Sequence, residues 1–116
     1  MKTTKEIAQR LIFLLERKQF MQALEELFDE GVESIDPILQ DQPPIKKLST
    51  LKEREKAFLS RVAIDEIKVS SALFASAYFT ITLSMLFSIE GKETSFEEIC
   101  VYRVSEGKIV SQQFFL

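Results

Sequence analysis

From Ala72 to Ile89 the chain carries no charged residue. That run approaches the roughly 20 residues a helix needs to cross a bilayer, but its period decides against a membrane span. Ala75, Ala77, Phe79, Ile81, Leu83, Met85, Phe87 and Ile89 are apolar at alternate positions. Ser76, Tyr78, Thr80, Thr82, Ser84 and Ser88 fall between them, with Leu86 the exception. Alternation of this kind marks a strand that buries one face. A strand so long needs partners along its edges and a cover for its apolar side, and the rest of the chain must supply both.

The cover comes first. Thr3 and Glu6 stand at capping-box spacing ahead of Ile7, Ala8, Leu11, Ile12, Leu14 and Leu15, which predicts a helix over 4–18. Phe20, Leu24, Leu27 and Phe28 recur at helical spacing over 20–29, and Gly31 is placed to stop that helix in the left-handed conformation. Val32 to Pro37 reads as a first strand, ended by a proline that cannot continue a central ladder. Ile38 to Leu48, with Gln-Asp-Gln-Pro-Pro inside it, reads as a loop. A third helix is expected over 50–61, with Thr50 and Glu53 at capping-box spacing and Leu51, Phe58, Leu59 and Val62 on one face. Lys46, Lys47, Lys52, Arg54, Lys56 and Arg61 alternate with Glu53 and Glu55, the pattern of a solvated helix face.

The partners follow. Ile64 to Leu73 is a second strand, and a turn near Phe74–Ser76 leads into the long third one. Glu90-Gly91-Lys92 turns into a fourth strand over 95–104. Ser105-Glu106-Gly107-Lys108 makes a hairpin into a fifth over 109–116. Helices first and strands afterwards define an α+β chain rather than alternating βαβ units. At 116 residues there is room for a single domain, 1–116.

Composition narrows the function classes. Ten Phe against two Tyr and no Trp point to a core or cavity wall of rings without polar tips. The net charge is −3, with no basic tract, so no nucleic acid is expected as a partner, and no membrane either. With no His, imidazole catalysis and most zinc sites are removed; no metal or cofactor is expected. A lone cysteine, Cys100, suits a reducing cytoplasm, and the N-terminus lacks the apolar run of a signal peptide.

The order of elements, together with Asp29-Glu30-Gly31-Val32, Ser34-Ile35-Asp36-Pro37, Pro43-Pro44-Ile45, the run Phe96 to Val104 and Glu106-Gly107-Lys108-Ile109-Val110, resembles the nuclear transport factor 2-like superfamily. Its SnoaL-like and ketosteroid isomerase-like members are the nearer match. The resemblance spans almost the whole chain. It implies a cystatin-like cone, with three N-terminal helices packed on a strongly curved mixed or antiparallel sheet, a pocket inside the cone and a homodimer through the outer sheet face. A fold of this kind hosts many activities, so the site must carry the function.

In ketosteroid isomerase-like proteins an Asp before a Pro at this strand end is the general base, and a Tyr and a protonated Asp stabilise the oxyanion. Asp36 occupies the base position. The Tyr position falls near Ile12 or Phe13 and the second acid near Cys100 or Ile99, none of which is a good donor. Asp36 is therefore either a base or a cap on the turn into Pro37.

Strand parity sets Phe96, Glu98, Cys100 and Tyr102 on one face, with Gln112 and Phe114 beside them; Glu97 and Arg103 point the other way. A slip of one residue exchanges the two sets. Leu83 and Met85 join the inward set, the remaining rings being plain core. Cys100 is a pocket thiol or a small buried hydrophobe. Asp36 and Glu98 form the one carboxylate couple for acid–base work. Three functions stay open: binding of a small apolar molecule in the pocket, an isomerase, dehydratase or cyclase with Asp36 as base, and a non-catalytic homodimeric interaction module.

Overall fold

A computed structural model describes residues 1–36 and 43–116. The expected strand end at Pro37 and the first part of the loop, 38–42, lie outside the described residues. Three helices, α1 (Thr4–Glu16), α2 (Phe20–Leu27) and α3 (Leu48–Arg61), accompany six strands: β1 (Phe28–Ile35), β2 (Val62–Val69), β3 (Leu73–Ala75), β4 (Tyr78–Ile89), β5 (Lys92–Ser105) and β6 (Lys108–Phe115). The strands form one curved sheet in the order β1-β6-β5-β4-β2, with β3 added to β4. β1 runs parallel to β6 and every other pair is antiparallel. The α+β architecture expected from the order of elements is the one observed.

The capping box of α1 is present in both directions: Glu6 N–H donates to Thr3 Oγ1 at 3.1 Å and Thr3 N–H to Glu6 Oε1 at 3.0 Å. The helix ends earlier than expected because Lys18 turns left-handed at φ 61°, while Arg17 N–H and Gln19 N–H close on Leu14 O. Ile7, Ala8, Leu11, Leu14 and Leu15 are buried beside Phe20, Ala23, Leu24 and Leu27 of α2. Outside this seam Arg10 clamps Glu26 through two hydrogen bonds, 2.6 and 2.9 Å, and holds the Glu26 carboxyl down to about 2.

Several boundaries differ from the expectations. Gly31 does not cap α2. The helix gives way at Phe28, whose backbone is already extended at φ −98° and ψ 142°, so β1 starts four residues ahead of Val32. Phe28 pairs with Ile109 of β6; the register then shifts before Glu33, and Gly31 N–H closes on Asp29 Oδ2 inside that irregularity. Helix α3 begins at Leu48, with Lys47 at the cap position and no side-chain cap bond, so Thr50 is no cap. Part of the expected loop also pairs, as Ile45 exchanges backbone hydrogen bonds with Ser34 at 2.7 and 3.0 Å. The second strand ends at Val69, and a sixth, β3, precedes the long one. Ser76 takes φ 56° in the turn between β3 and β4, a left-handed residue with no glycine to announce it.

The two glycine turns are as expected. Glu90 and Gly91 adopt φ 51° and 79°, and Glu106 and Gly107 adopt 49° and 76°. These are the twist-matched two-residue hairpins. At Gly107 a Cβ would also lie 2.5 Å from Met1 Cγ.

The hairpins fix the register of the sheet. Phe79 lies opposite Tyr102, Ile81 opposite Cys100, Leu83 opposite Glu98 and Met85 opposite Phe96. All of these face the helices. The alternate positions point outward, and their hydroxyls are partly engaged: Thr80 donates to Cys100 O at 2.9 Å and Ser84 to Glu97 Oε1 at 3.3 Å. The two parities differ in energetic weight. Ile81→Ala, at a position 1% exposed, is expected to cost about 3 kcal/mol, whereas Thr82→Ala one residue on should stay within about 0.5 kcal/mol. Urea denaturation of the two variants checks the register, and equal losses would contradict it.

Candidate ligand cavity

A cavity of about 510 Å³ lies between the helices and the inner sheet face. This is the size range of small-molecule sites, roughly 300–1,000 Å³. Helices α1 and α2 give it Leu11, Leu15, Phe20, Ala23 and Leu24, and the sheet gives it Phe28, Leu83, Met85, Phe87, Phe96 and Phe114. Phe58 of α3 meets Phe87 edge-on at 5.7 Å, and Phe87 meets Phe96 at 5.8 Å. These wall residues follow directly from the two periods, 3.6 on the helices and two on the strands.

Polar groups reach the cavity from four elements. Asp36 comes from the end of β1, Arg54 and Glu55 from α3, and Glu98 and Tyr102 from β5; Ser34 and Gln112 complete the set with Thr94. Gln112 Nε2 donates to Ser34 Oγ at 2.8 Å, and both residues are buried.

Of the residues singled out in the sequence, Asp36, Leu83, Met85, Phe96, Glu98, Tyr102, Gln112 and Phe114 all line this one cavity. Cys100 does not. It is fully enclosed behind the wall, and its thiol lies 3.7 Å from Glu98 Oε1. Its parity is inward, and it stands opposite Ile81 of β4 and Phe114 of β6; one inward row further on, Phe79 stacks on Tyr102 at 4.9 Å.

Arg54 and Glu55 are the residues the sequence reading missed, because it assigned both to the solvated face of the helix. The signal was positional. Leu51, Glu55 and Phe58 stand at i, i+4 and i+7, one stripe of the helix, so the face that buries Leu51 and Phe58 carries Glu55 with it.

The electrostatics follow from that placement. Burial pushes the Glu98 carboxyl up to about 7; the Cys100 hydrogen bond opposes the rise, and the charges of Asp36 and Glu55 add to it. Burial also raises Glu55, and it raises the Tyr102 hydroxyl and the Cys100 thiol well above their ordinary values. Burial is the largest cause in each case, as expected where ionisable groups share an apolar space. A carboxyl near 7 holds and releases a proton at neutral pH.

The SnoaL-like domain family matches residues 2–116, and the chain belongs to that family. No curated protein matches it closely. Among solved structures, a candidate SnoaL-like polyketide cyclase from Mesorhizobium loti superposes with a TM-score of 0.91 at 17% identity, over 99% of this chain and 100% of that one. An LEH-like epoxide hydrolase from M. tuberculosis gives 0.75 at 11% identity, over 97% and 77%. A candidate isomerase from Bacillus subtilis gives 0.78 at 14%, over 97% and 88%. At these identities the likeness is one of fold. No helix among the described residues is long and apolar enough to cross a membrane.

The raised Glu98 carboxyl has a sign that can be measured. Between the ordinary value of 4.5 and about 7 the native state holds a proton that the unfolded chain has released. Stability from this group is complete below 4.5 and is lost as pH rises through 7. Glu98→Gln removes the slope. At about pH 8 the variant should exceed the wild type by roughly 1–2 kcal/mol, a figure already reduced for solvent screening. Near pH 4.5 the two should coincide. Urea denaturation at both pH values checks this; an offset that does not change with pH would contradict it.

Proposed function

We infer that the protein binds a small, largely apolar molecule in this cavity, with the polar part of the ligand held at Glu98 and Gln112. The observation that carries the reading is a cavity of about 510 Å³ whose wall is mainly aromatic and aliphatic while its polar groups gather from α3, β1, β5 and β6. A panel of apolar and aromatic compounds tests it by thermal shift. A ligand at a hundredfold excess over its Kd adds about 2.7 kcal/mol to stability and should raise the melting temperature by several degrees. Met85→Trp, which sets a larger ring into the cavity wall, should diminish the rise. A panel that leaves the melting temperature unchanged throughout would defeat the proposal.

A second reading, proton transfer on a small cyclic substrate, is favoured by one observation: Glu98, near 7, feels the charge of Asp36. Glu98 in its protonated form faces a substrate oxygen while Asp36 takes the carbon-bound proton. This restores one of the donors that Ile12, Phe13, Ile99 and Cys100 do not supply. Neighbours described as a candidate cyclase, a candidate isomerase and an epoxide hydrolase lend this reading support. Deuterium exchange at the α-carbons of cyclohexanone in D₂O, followed by NMR, tests the step. Asp36→Asn and Glu98→Gln should each slow exchange about a hundredfold, and a wild-type rate equal to that of buffer would exclude this reading.

The same proposal extends to assembly and compartment. Two copies pair through the outer sheet face, where Tyr78, Ile99 and Phe115 are each about half exposed and Leu73 is 72% exposed. Thr82, Ile99 and Phe115 stand in one row across β4, β5 and β6. Sedimentation at micromolar concentration should give a dimer that Ile99→Glu splits; a wild-type monomer would refute the pairing. A buried, unbridged Cys100 suits the cytoplasm.

A further inference from the structure

The polar end of the cavity holds three carboxyl groups, Asp36, Glu55 and Glu98, against one cationic residue, Arg54, and that imbalance of charge names a ligand class. Resting on the reading that the cavity binds a small molecule, we propose that the ligand is a protonated primary or secondary amine on an apolar body, its ammonium group seated among Glu55, Glu98 and the amide oxygen of Gln112.

Each acceptor is accounted for. Gln112 is 5% exposed and lines the cavity. Its amide nitrogen is committed to Ser34, and among the described residues no donor meets its amide oxygen, which still reaches open space. An amide oxygen at the cavity wall can accept from a donor on a bound molecule. Glu98 has one partner among the described residues, the weak Cys100 thiol. Glu55 has no hydrogen bond or ion pair among them; the four ion pairs found join Lys2, Arg10, Lys52 and Lys68 to other acids. The single cationic lining residue, Arg54, is exposed.

Buried carboxylates without a counter-charge are costly, and they relieve the cost by taking up protons or by meeting a cation. Burial favours the first response at both Glu98 and Glu55. A bound ammonium supplies the second, with N–H donors for the carboxylates and for Gln112 as well. Geometry separates this cation from a metal ion. No group of three acids or cysteines among the described residues is close enough to hold one, so the cation must bring its own bulk. The Phe58, Phe87 and Phe96 rings are the seat for that apolar body and add cation–π attraction at its charged end. An anion would meet like charge, and a neutral alcohol offers a donor but leaves the carboxylates uncompensated.

The test is a matched pair of one shape: cyclohexylmethylamine and cyclohexylmethanol, titrated calorimetrically at about pH 8. The amine should bind at least about tenfold tighter, the equivalent of 1.4 kcal/mol. Titration near pH 7 in buffers of different ionisation enthalpy should show proton release from Glu98. The groups that face it there are Asp36 from β1, Arg54 and Glu55 from α3, and Cys100 and Tyr102 on its own strand. At about pH 5 the preference should shrink. Glu55→Gln and Glu98→Gln, each first shown to be folded by its melting transition, should each cut the ratio of amine to alcohol affinity at least fivefold. An alcohol that binds as tightly as the amine overturns the inference and leaves the cavity-binding reading standing. So does a ratio untouched by both variants. If neither compound binds, the inference falls, and if the wider apolar panel is silent too, the cavity-binding reading falls with it.

Discussion

The pairing of β4 with β5 is the constraint on which the rest depends. From Tyr78 opposite Arg103 to Ile89 opposite Lys92, the two strands keep step without a bulge. Side chains alternate in direction with period two, so that one register decides the inward set for both strands. It delivers Phe79, Ile81, Leu83, Met85 and Phe87 to the helices, and Tyr102, Cys100, Glu98 and Phe96 with them. The core at one end and the cavity at the other are two stretches of the same inward row. Phe79 and Ile81 belong to the closed core, while Leu83, Met85, Phe96 and Glu98 line the open space. Helices α1 and α2 bury their stripes on each other and share one core with that row.

Much of this was legible in the sequence, because it depends on local pattern. The unbroken alternation through β4, the glycines at 91 and 107 and the capping box at Thr3 are each a few residues long, and each has one cheap physical solution. What could not be read depends on partners far away in the chain. Phe28, Asp29 and Glu30 continue a helical pattern as naturally as they begin a strand, and it is pairing with Ile109 of β6, some eighty positions on, that makes them strand. Leu48 starts α3 without a cap, in a turn that also holds Ile45 against Ser34. Even the depth of Cys100 was beyond parity, which gives direction but not how full the interior is at that level.

The site shows the same division. Strand parity brings Glu98, Tyr102 and Gln112 inward, and the strand end brings Asp36 to the same space. Glu55 was hidden by its neighbours rather than by its position. Between Leu51 and Phe58 it occupies a core-facing turn of α3, and a charge there is a local inconsistency of the kind that functional sites carry. The consequence falls on Glu98, where burial first, and the charges of two further acids after it, push the carboxyl up to about 7.

The sheet has a further property, as a partition. It is a single layer of backbone, and on β5 each residue serves one side of it only: Glu98 belongs to the interior, Ile99 to the exterior, Cys100 to the interior again. Interior and exterior are therefore written in alternate letters of the same short text. Substitutions can rewrite either message without disturbing the other, so what the cavity accepts and what the outer face meets are free to diverge independently between relatives. Insertion or deletion of one residue has no such freedom, since it exchanges the two messages from that point to the next turn. A fold built this way diversifies by replacing residues while conserving strand length, and it confines changes of length to hairpins and to the segments between helix and strand.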